Sequence, residues 1–351
     1  MNFVIGLHKE LGIEIPDADA PKLASLIAAS GSRRIDVVEK FFFMRKHEGT
    51  ELIVYTRMLI PLDGSQAAEQ VLPYVRFLAK GLAIPVELLE VIDPDALAGL
   101  ANPEQGRYLD TLLTERTASS RAYLQTVAGS LQGSDVRTLV QTGKPEDVLI
   151  EHAAADKGAL IVMASHGRSG IQRWLLGSVA DKVLHGATNH VLLIHASDTG
   201  KTSGEAVLKK VVVPLDGSSL AEQVLPWVVD LAKKMTLDVI LSRAYALPLA
   251  LSLDEYGTYT EQLIGRLEAD AREYLATRVE DLKQRGIENV SSVVDVGYGA
   301  GEIIKLARET PDNFVAMCTH GRSGIRRWVL GSVTERVVRH CGDPVLIIRA
   351  S

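Results

Sequence analysis

The chain has 351 residues, of which 46% are hydrophobic and 23% charged, and it carries a formal net charge of -6. This composition excludes the disordered and fibrous classes and provides enough chain for two or more hydrophobic cores. The acidic balance argues against nucleic acid as a partner, because binding to its phosphates needs a concentrated basic face.

Residues 1–56 belong to neither of the two repeats that fill the rest of the chain. Apolar residues on both sides of a proline turn at Pro16 predict a short helical N-terminal extension. The stretch Leu11–Asp19 resembles part of an acyl carrier protein. The Asp-Ser-Leu motif that carries a phosphopantetheine arm is missing, so we expect no carrier function.

From Arg57 onward, apolar strands alternate with amphipathic helices. In the first copy we predict strands at Met58–Leu62, Val86–Ile92, Val136–Gln141, Leu160–Met163 and Val191–Ile194, with helices at Ala67–Lys80, Glu146–Ala155 and Ser178–His185 and a partly helical span over 94–129. The pattern repeats after a polar linker, so we expect domains at 57–197 and 208–351 joined by residues 198–207. This alternation predicts an α/β fold with two tandem, doubly wound parallel sheets.

One stretch occurs twice almost unchanged: Met163–Val179 returns as Met317–Val333. Each copy leads from an apolar strand through a glycine-bearing loop to Gly-Ser at the head of a predicted helix. Glycines allow backbone N–H groups to approach a ligand closely, and we expect the serine to be the helix N-cap beside free amides that favour negative charge. The repeat therefore predicts an anion site in each domain.

Asp63 and Asp216 follow the first predicted strand of each domain. Open α/β sheets bind ligands at the carboxyl ends of their strands, and a carboxylate there can accept a hydrogen bond from a ribose hydroxyl or an exocyclic amine. The Asp-Gly-Ser sequence is also typical of a simple turn with an N-cap. Both interpretations remain open.

The loop spacing, a small residue, two residues, Gly, nine residues and Gly-Ser, resembles the ATP-binding branch of the universal stress protein family. The resemblance covers residues 57–351 and implies an adenine nucleotide alpha hydrolase-like fold, with ATP and Mg²⁺ as the ligand. It implies that phosphates and ribose are held by Gly167, Gly177, Ser178, Gly321, Gly331 and Ser332. Asp63 and Asp216 would lie against the adenosine, with Val91 and Ala244 near the base. The other predicted site residues flank these positions: Pro61, Met163, Ala164, Arg168, Val179, Pro214, Met317, Cys318, Arg322 and Val333.

Both loops depart from the family pattern, because its first glycine is Ala164 in one copy and Cys318 in the other. A glycine needed for positive φ could be replaced only at a cost of about 1 kcal/mol or more, whereas one needed for packing could be replaced by alanine easily. The position at a strand end favours the packing interpretation. The first domain is therefore the better candidate for nucleotide, and we expect Cys318 to be a small buried filler.

No catalytic group is expected. His166 and His320 could contact phosphate or act as bases, although lone loop histidines are more often structural. Arg168 and Arg322 could pair with a terminal phosphate or be exposed turn residues. No Ser-His-Asp arrangement can be assembled from the spacing, and neither Gly-Lys pair has the Walker A pattern, so hydrolysis should be slow at most.

The resemblance implies a stress-response regulator that acts through nucleotide-dependent conformation or partner binding. An interaction module of the same fold without nucleotide, and a slow ATPase or phosphotransferase, are the alternatives. Universal stress proteins associate through their last strand, so Val191–Ile194 and Val345–Ile348 should pair the two domains. A homodimer and an unidentified protein partner both stay open. Two cysteines without zinc spacing and no long apolar segment lead us to expect a cytoplasmic protein that has no metal site of its own and does not span a membrane.

Overall fold

A computed structural model of the chain describes residues 55–100, 109–166, 176–197, 200–246, 257–319 and 330–350. The helical extension and the acyl-carrier-like stretch, both predicted before residue 55, lie outside the described residues. So do Gly167, Arg168, Gly321 and Arg322 of the two repeated loops. The fold and the cavities below concern the described ranges.

The first domain begins with strand β1 and alternates strands with helices, as its sequence predicts. Its elements are β1 Arg57–Pro61, α1 Gln66–Glu69, α2 Leu72–Leu82, β2 Val86–Ile92, α3 Pro94–Leu100, α4 Leu109–Gly129, β3 Val136–Thr142, α5 Pro145–Ala154, β4 Ala159–Ala164, α6 Ser178–Gly186 and β5 Val191–Ile194.

The second domain repeats this order. Its elements are β6 Lys210–Pro214, α7 Ser219–Glu222, α8 Leu225–Met235, β7 Asp238–Tyr245, α9 Gly257–Gln284, β8 Val290–Val296, α10 Ala300–Glu309, β9 Asn313–Cys318, α11 Ser332–His340 and β10 Val345–Ile348.

The single helix predicted at Ala67–Lys80 is wrong, because the structure has two helices, α1 and α2, separated at Gln70. Pro73 lies in the first turn of α2. A proline has no N–H to donate, and its ring clashes with the carbonyl four residues earlier, here that of Glu69, so one continuous helix cannot form. Pro226 interrupts the second domain at the same place, between α7 and α8.

The strands form one ten-stranded sheet in the order β3-β2-β1-β4-β5-β10-β9-β6-β7-β8. Neighbouring strands within each domain are parallel, whereas β5 and β10 pair antiparallel at the centre, with Val345 opposite Leu193 and Ile347 opposite Val191. The expected pairing of the two domains through their last strands is therefore confirmed. Because this pair is antiparallel, the strands of the first domain run opposite to those of the second. The carboxyl ends of the two sets of strands therefore point in opposite directions.

Helices cover both faces of the sheet, which gives the α/β fold expected from the sequence. Met58 and Ile60 of β1 face one buried apolar layer and Leu59 faces the other, since successive residues of a strand point to opposite faces. Each layer includes residues of both domains. The two domains consequently share their hydrophobic cores along the central strand pair.

Partly buried polar side chains also cross between the domains beside this pair. Arg349 follows β10, and its guanidinium donates to the carbonyls of Leu184 at 2.6 Å and Asn189 at 3.3 Å in the first domain. Burial lowers the pKa of Arg349 to about 10. In the first domain, His190 packs edge-on against Trp227 of the second, with ring centroids 4.1 Å apart, and Tyr55 Oη lies 3.1 Å from its Nδ1.

Arg349→Met should lower the free energy of unfolding by about 2–4 kcal/mol, because it removes charge-assisted hydrogen bonds and leaves buried carbonyls without a donor. Urea denaturation measures this change. Arg272→Met is the matched control, because Arg272 is exposed and pairs with Glu268 one turn away in the same helix, a type of pair that contributes about 0.3–0.5 kcal/mol. Equal effects of the two substitutions would contradict the role given to Arg349.

The stability of the protein should fall as the pH drops from about 7 to about 4. Burial first, and then the charge of Arg349, lower the pKa of His190 from 6.5 to about 3. The unfolded chain therefore takes up a proton in this range that the folded chain does not, and at pH 5 His190 alone should account for a loss of about 2 kcal/mol. Urea denaturation at pH 7.5 and pH 5 should give a smaller difference for His190→Phe than for the wild-type chain. An identical difference would contradict the assignment.

Candidate functional sites at the strand ends

Each domain has a cavity at the carboxyl ends of its strands, of about 460 Å³ in the first domain and about 270 Å³ in the second. Small-molecule pockets commonly measure about 300–1,000 Å³. The described site residues predicted from the sequence all line these cavities. They are Pro61, Asp63, Val91, Met163, Ala164, Gly177, Ser178 and Val179 in the first, and Pro214, Asp216, Ala244, Met317, Cys318, Gly331, Ser332 and Val333 in the second.

Asp63 and Asp216 both organise a turn and line a cavity. Asp63 Oδ1 accepts a hydrogen bond from the Ser65 backbone N–H at 2.9 Å, and Asp216 Oδ1 accepts from the Ser218 N–H at 2.9 Å and from its hydroxyl at 2.6 Å. Ser65 and Ser218 are the N-caps of α1 and α7. The two interpretations of Asp-Gly-Ser are thus compatible, because the turn holds each carboxylate at the strand end.

The two ends of each repeated loop meet at a strand tip. The Gly177 N–H donates to the Ser165 carbonyl at 2.8 Å, and the Gly331 N–H donates to the Thr319 carbonyl at 2.8 Å. A Cβ on Gly177 would lie 3.2 Å from that Ser165 oxygen, which is tight for any side chain. Gly177 therefore allows the close approach that closes the base of the loop.

The expected serine N-caps of α6 and α11 are wrong. Gly177 and Gly331 are the N-caps, with extended backbone, and Ser178 and Ser332 are the first helical residues. At the N-cap position the chain passes beside the strand tip. The space there is too small for most side chains, which favours Gly177. The first-turn amides of a helix still have no intrahelical acceptor. The N-terminus of each helix therefore keeps the free N–H donors that favour an anion.

Ala164 and Cys318 are the last residues of β4 and β9, and both are buried. Ala164 pairs with Ile194 and Cys318 with Ile348 in extended backbone, so neither position requires the positive φ that favours glycine. This geometry favours the packing interpretation. Burial raises the pKa of the Cys318 thiol to about 12, as suits a buried filler.

Both thiols of the chain should be slow to react in the folded protein. Burial raises the pKa of Cys341 to about 11 and that of Cys318 to about 12, so little thiolate forms at pH 8 and reagent access is poor. We expect a disulfide reagent such as DTNB to label both only slowly in buffer and rapidly in denaturing urea. Rapid labelling of one thiol in buffer would show that its surroundings are open.

His166 lies at the tip of β4 and lines the first cavity. Its Nδ1 is 3.0 Å from Ser165 Oγ, which also accepts a hydrogen bond from the Ala196 N–H at 3.2 Å. Burial lowers the pKa of His166, which keeps the imidazole neutral at pH 7. A neutral ring tied to its neighbour suits a structural role better than that of a phosphate-binding cation.

Sequence reasoning missed five charged residues that line the cavities. Asp93, directly after β2, and Arg116 of α4 line the first, where Arg116 forms an ion pair with Glu90 of β2. The second is lined by Arg243, Asp295 and Glu302. The strand pairings place Arg243 of β7 at the position of Glu90, so an alignment of the two strands could have drawn attention to it. For Arg116 the sequence carries no signal, because packing of α4 decides which face meets the cavity.

Two further findings concern metal ligands and membrane-spanning helices. Among the described residues there is no group of three or more His, Cys, Asp or Glu side chains that could hold a metal ion. No helix in these same ranges is long and apolar enough to cross a membrane.

Two doubly wound α/β domains, each with a ligand-sized cavity between a strand-end carboxylate and a helix head, define a tandem α/β protein with one candidate binding site in each domain. Comparison with known families agrees with this description. The chain belongs to the universal stress protein family, which matches residues 55–195 and 208–349.

Some relatives match this chain along almost their whole length. A universal stress protein of Mycolicibacterium smegmatis is 24% identical over 307 residues, which cover 83% of this chain and 96% of the relative. The crystal structure of a universal stress protein from Archaeoglobus fulgidus superimposes with a TM-score of 0.64 at 21% identity, over 85% of this chain and 99% of the other. At this level of identity the superposition supports the fold.

A universal stress protein has also been solved in complex with cAMP. It is 23% identical to this chain, covers 42% of it, and superimposes with a TM-score of 0.30. A TM-score this low does not bear on the ligand of this chain. The function must therefore be argued from the cavities themselves.

Proposed function

We propose that the protein binds ATP at its strand ends and acts as a stress-response regulator through nucleotide-dependent conformation or partner binding. One observation carries the proposal: Asp63 and the head of α6 line the same cavity of about 460 Å³. A carboxylate that can accept from a ribose hydroxyl and a helix head that favours phosphate are the two halves of a nucleotide site.

Each part of the cavity has a task in this proposal. Asp63 receives the ribose hydroxyls, and Val91 gives an apolar contact to the base. The first-turn amides of Ser178 and Val179 face the phosphates, to which Gly167 and Arg168 of the loop would add donors. The close approach at Gly177, where a Cβ would be 3.2 Å from the Ser165 oxygen, suits a backbone that surrounds a ligand. Mg²⁺ supplies charge neutralisation when it enters with the phosphates.

A regulatory role needs a route from the ligand to another surface, and α6 provides one. Its head lines the first cavity, whereas the Leu184 carbonyl near its other end accepts from Arg349 of the second domain at 2.6 Å. Asp181 of the same helix pairs with Arg339 of α11 at 2.9 Å. A ligand that moves or stiffens α6 would therefore act on the contact between the domains.

The two alternatives lack a comparable observation. The alternative of an interaction module without nucleotide rested on Ala164 and Cys318, because a glycine with positive φ could be replaced there only with backbone strain. Both residues have extended backbone, so this argument no longer applies. A slow ATPase or phosphotransferase would need an attacking group or base, and His166 is held by Ser165 Oγ. We therefore propose no catalytic residue.

Asp63→Ala should lower the affinity for ATP by at least about tenfold, because the ribose loses its acceptor while the fold is kept. Isothermal titration calorimetry measures the affinity, and native mass spectrometry of the purified chain detects nucleotide that is retained. Glu151→Ala, at an exposed position on α5 outside the cavity lining, is the matched control and should bind as the wild-type chain does.

The same samples distinguish the alternatives. Retained ATP that persists during incubation with Mg²⁺ agrees with the proposal, and steady release of ADP favours the enzyme. If the wild-type chain neither retains nor binds any adenine nucleotide, the proposal is wrong and the interaction module is favoured. An unchanged affinity in Asp63→Ala would contradict the placement of the ribose.

A further inference from the structure

The second cavity carries polar side chains at the end where the proposed function places the base. Val91 of β2 contacts the base in that proposal, and Ala244 of β7 lines the second cavity at the matching place. Ser242 precedes Ala244 by two residues, and Asp295 pairs with Ala244 on the neighbouring strand β8. Strand residues two apart share a face of the sheet, and Ser242, Ala244 and Asp295 all line the cavity.

Ser242 brings a buried hydroxyl to this end of the cavity. The residue is only 6% exposed, yet within the described ranges its hydroxyl forms no hydrogen bond with another residue. Its backbone is held in place, because its carbonyl accepts from the Leu215 N–H at 2.8 Å. A buried hydroxyl without a partner costs free energy. Its position in the cavity lining therefore points to a ligand with a polar edge.

Asp295 and Glu302 add carboxylates at the same place. Asp295 is partly buried and, among the residues that the structure describes, has no hydrogen-bond or ion-pair partner for its side chain. Glu302 lies close by, because a Cβ on Gly297, two residues after Asp295, would meet its carboxyl group. An ionised carboxylate can only accept hydrogen bonds. This end of the cavity therefore suits a ligand that presents N–H or O–H donors.

Arg243, the cation that also lines this cavity, lies elsewhere in it. It directly precedes Ala244 in β7, so its side chain leaves the opposite face of the sheet. The guanidinium stacks 4.6 Å from the centre of the Tyr274 ring, and it would be 3.2–3.4 Å from a Cβ on Gly217, the neighbour of Asp216. Arg243 is therefore placed at the turn after β6, on the ribose side.

The matching end of the first cavity lacks these polar groups. Leu89 occupies the position of Ser242, since each pairs with the proline that ends the first strand of its domain. Gln141 occupies the position of Asp295, since it pairs with Val91. Leu89 and Val91 line the first cavity, whereas Gln141 is not among the described residues that line it. The first cavity therefore offers the base apolar contacts here.

Two charged side chains near this end of the first cavity are engaged by the protein. Asp93 Oδ1 accepts hydrogen bonds from the Asp95 N–H at 2.9 Å and the Ala96 N–H at 3.3 Å at the start of α3. Arg116 forms an ion pair with Glu90. Their existing partners make them less suited than Ser242 to hydrogen-bond a base.

The edge of adenine matches Ser242 and Asp295 in its pattern of donors and acceptors. Its 6-amino group is a donor, and a ring nitrogen beside that group is an acceptor. The Asp295 carboxylate can accept from the amine while the Ser242 hydroxyl donates to the ring nitrogen. Hypoxanthine has a carbonyl oxygen in place of the amine, and this oxygen would face the carboxylate with no proton between them.

We propose that Asp295 and Ser242 make the second cavity selective for an adenine base, whereas the first cavity tolerates a 6-oxopurine. A site that hydrogen-bonds its ligand discriminates strongly, because the wrong ligand leaves the polar groups of the site unpaired, whereas an apolar pocket discriminates weakly. This inference rests on the proposed function and adds to it the residues that read the base.

Calorimetric titration of the full-length chain with ATP and with ITP tests the proposal. The two nucleotides share ribose and triphosphate, so the ratio of their affinities reports on the base. Asp63→Ala weakens the first cavity and leaves the second to be measured, and Asp216→Ala does the reverse. ATP should bind more tightly than ITP by at least about tenfold in the second cavity, and the two should agree within about threefold in the first. Circular dichroism checks that each variant is folded.

Substitutions in the Asp63→Ala background separate the two side chains. Asp295→Asn should bring the affinities for ATP and ITP to within about threefold of each other, because an amide can turn its oxygen to the amine or its NH₂ to the carbonyl. Ser242→Ala should weaken ATP binding about fivefold through the lost hydrogen bond. Asp270→Asn, exposed on α9 and outside the cavity lining, is the matched control and should change neither affinity.

The outcomes separate this inference from the proposed function. Equal ratios of ATP to ITP affinity in the two cavities, or a ratio that Asp295→Asn does not change, would overturn the inference and leave the proposed function standing. The same holds if GTP binds the second cavity more tightly than ATP, or if only the first cavity binds nucleotide. If neither cavity binds an adenine nucleotide, both proposals fail.

Discussion

The antiparallel pairing of β5 with β10 is the interaction on which the rest of the structure depends. It joins two parallel half-sheets into one sheet of ten strands and buries all four residues of each last strand. Without it, each domain would expose an apolar edge strand, a surface that readily aggregates. Because the pairing is antiparallel, the carboxyl ends of the strands in the two domains point in opposite directions. The two cavities, which lie at these carboxyl ends, are therefore on opposite sides of the molecule along the strand direction. One pairing therefore joins the cores and separates the sites.

The first cavity and the contact between the two domains depend on some of the same structural elements. The turn that Asp63 closes through Ser65 also begins α1, and the glycine that closes the first loop also caps α6. The same α6 reaches Arg349 of the other domain at its far end. A ligand at the strand ends would thus bind to groups that are already held by the fold, which lowers the entropic cost of ordering them.

Duplication has preserved some parts of the site and changed others. The strand-end carboxylates, the closing glycines and the helix heads are the same in both domains. In the segment after the third strand, Gln141 and Lys144 correspond to Asp295 and Tyr298, and Glu146 and Asp147 correspond to Ala300 and Gly301. Charges have therefore changed in both directions, while the backbone kept its geometry, with φ of 149° at Gly143 and 155° at Gly297.

The sequence by itself determined the α/β class, the tandem organisation and the positions of Asp63, Asp216 and the Gly-Ser helix heads. These depend on local periodicity, on repetition and on the ends of strands, all of which a linear pattern records. Only the tertiary structure decided that Pro73 splits a helix, that Gly177 rather than Ser178 is the N-cap, and that Ala164 needs no positive φ. It also decided that Arg116, Arg243 and Glu302 face the cavities, because the facing of a side chain depends on helix packing and strand register between residues far apart in the chain.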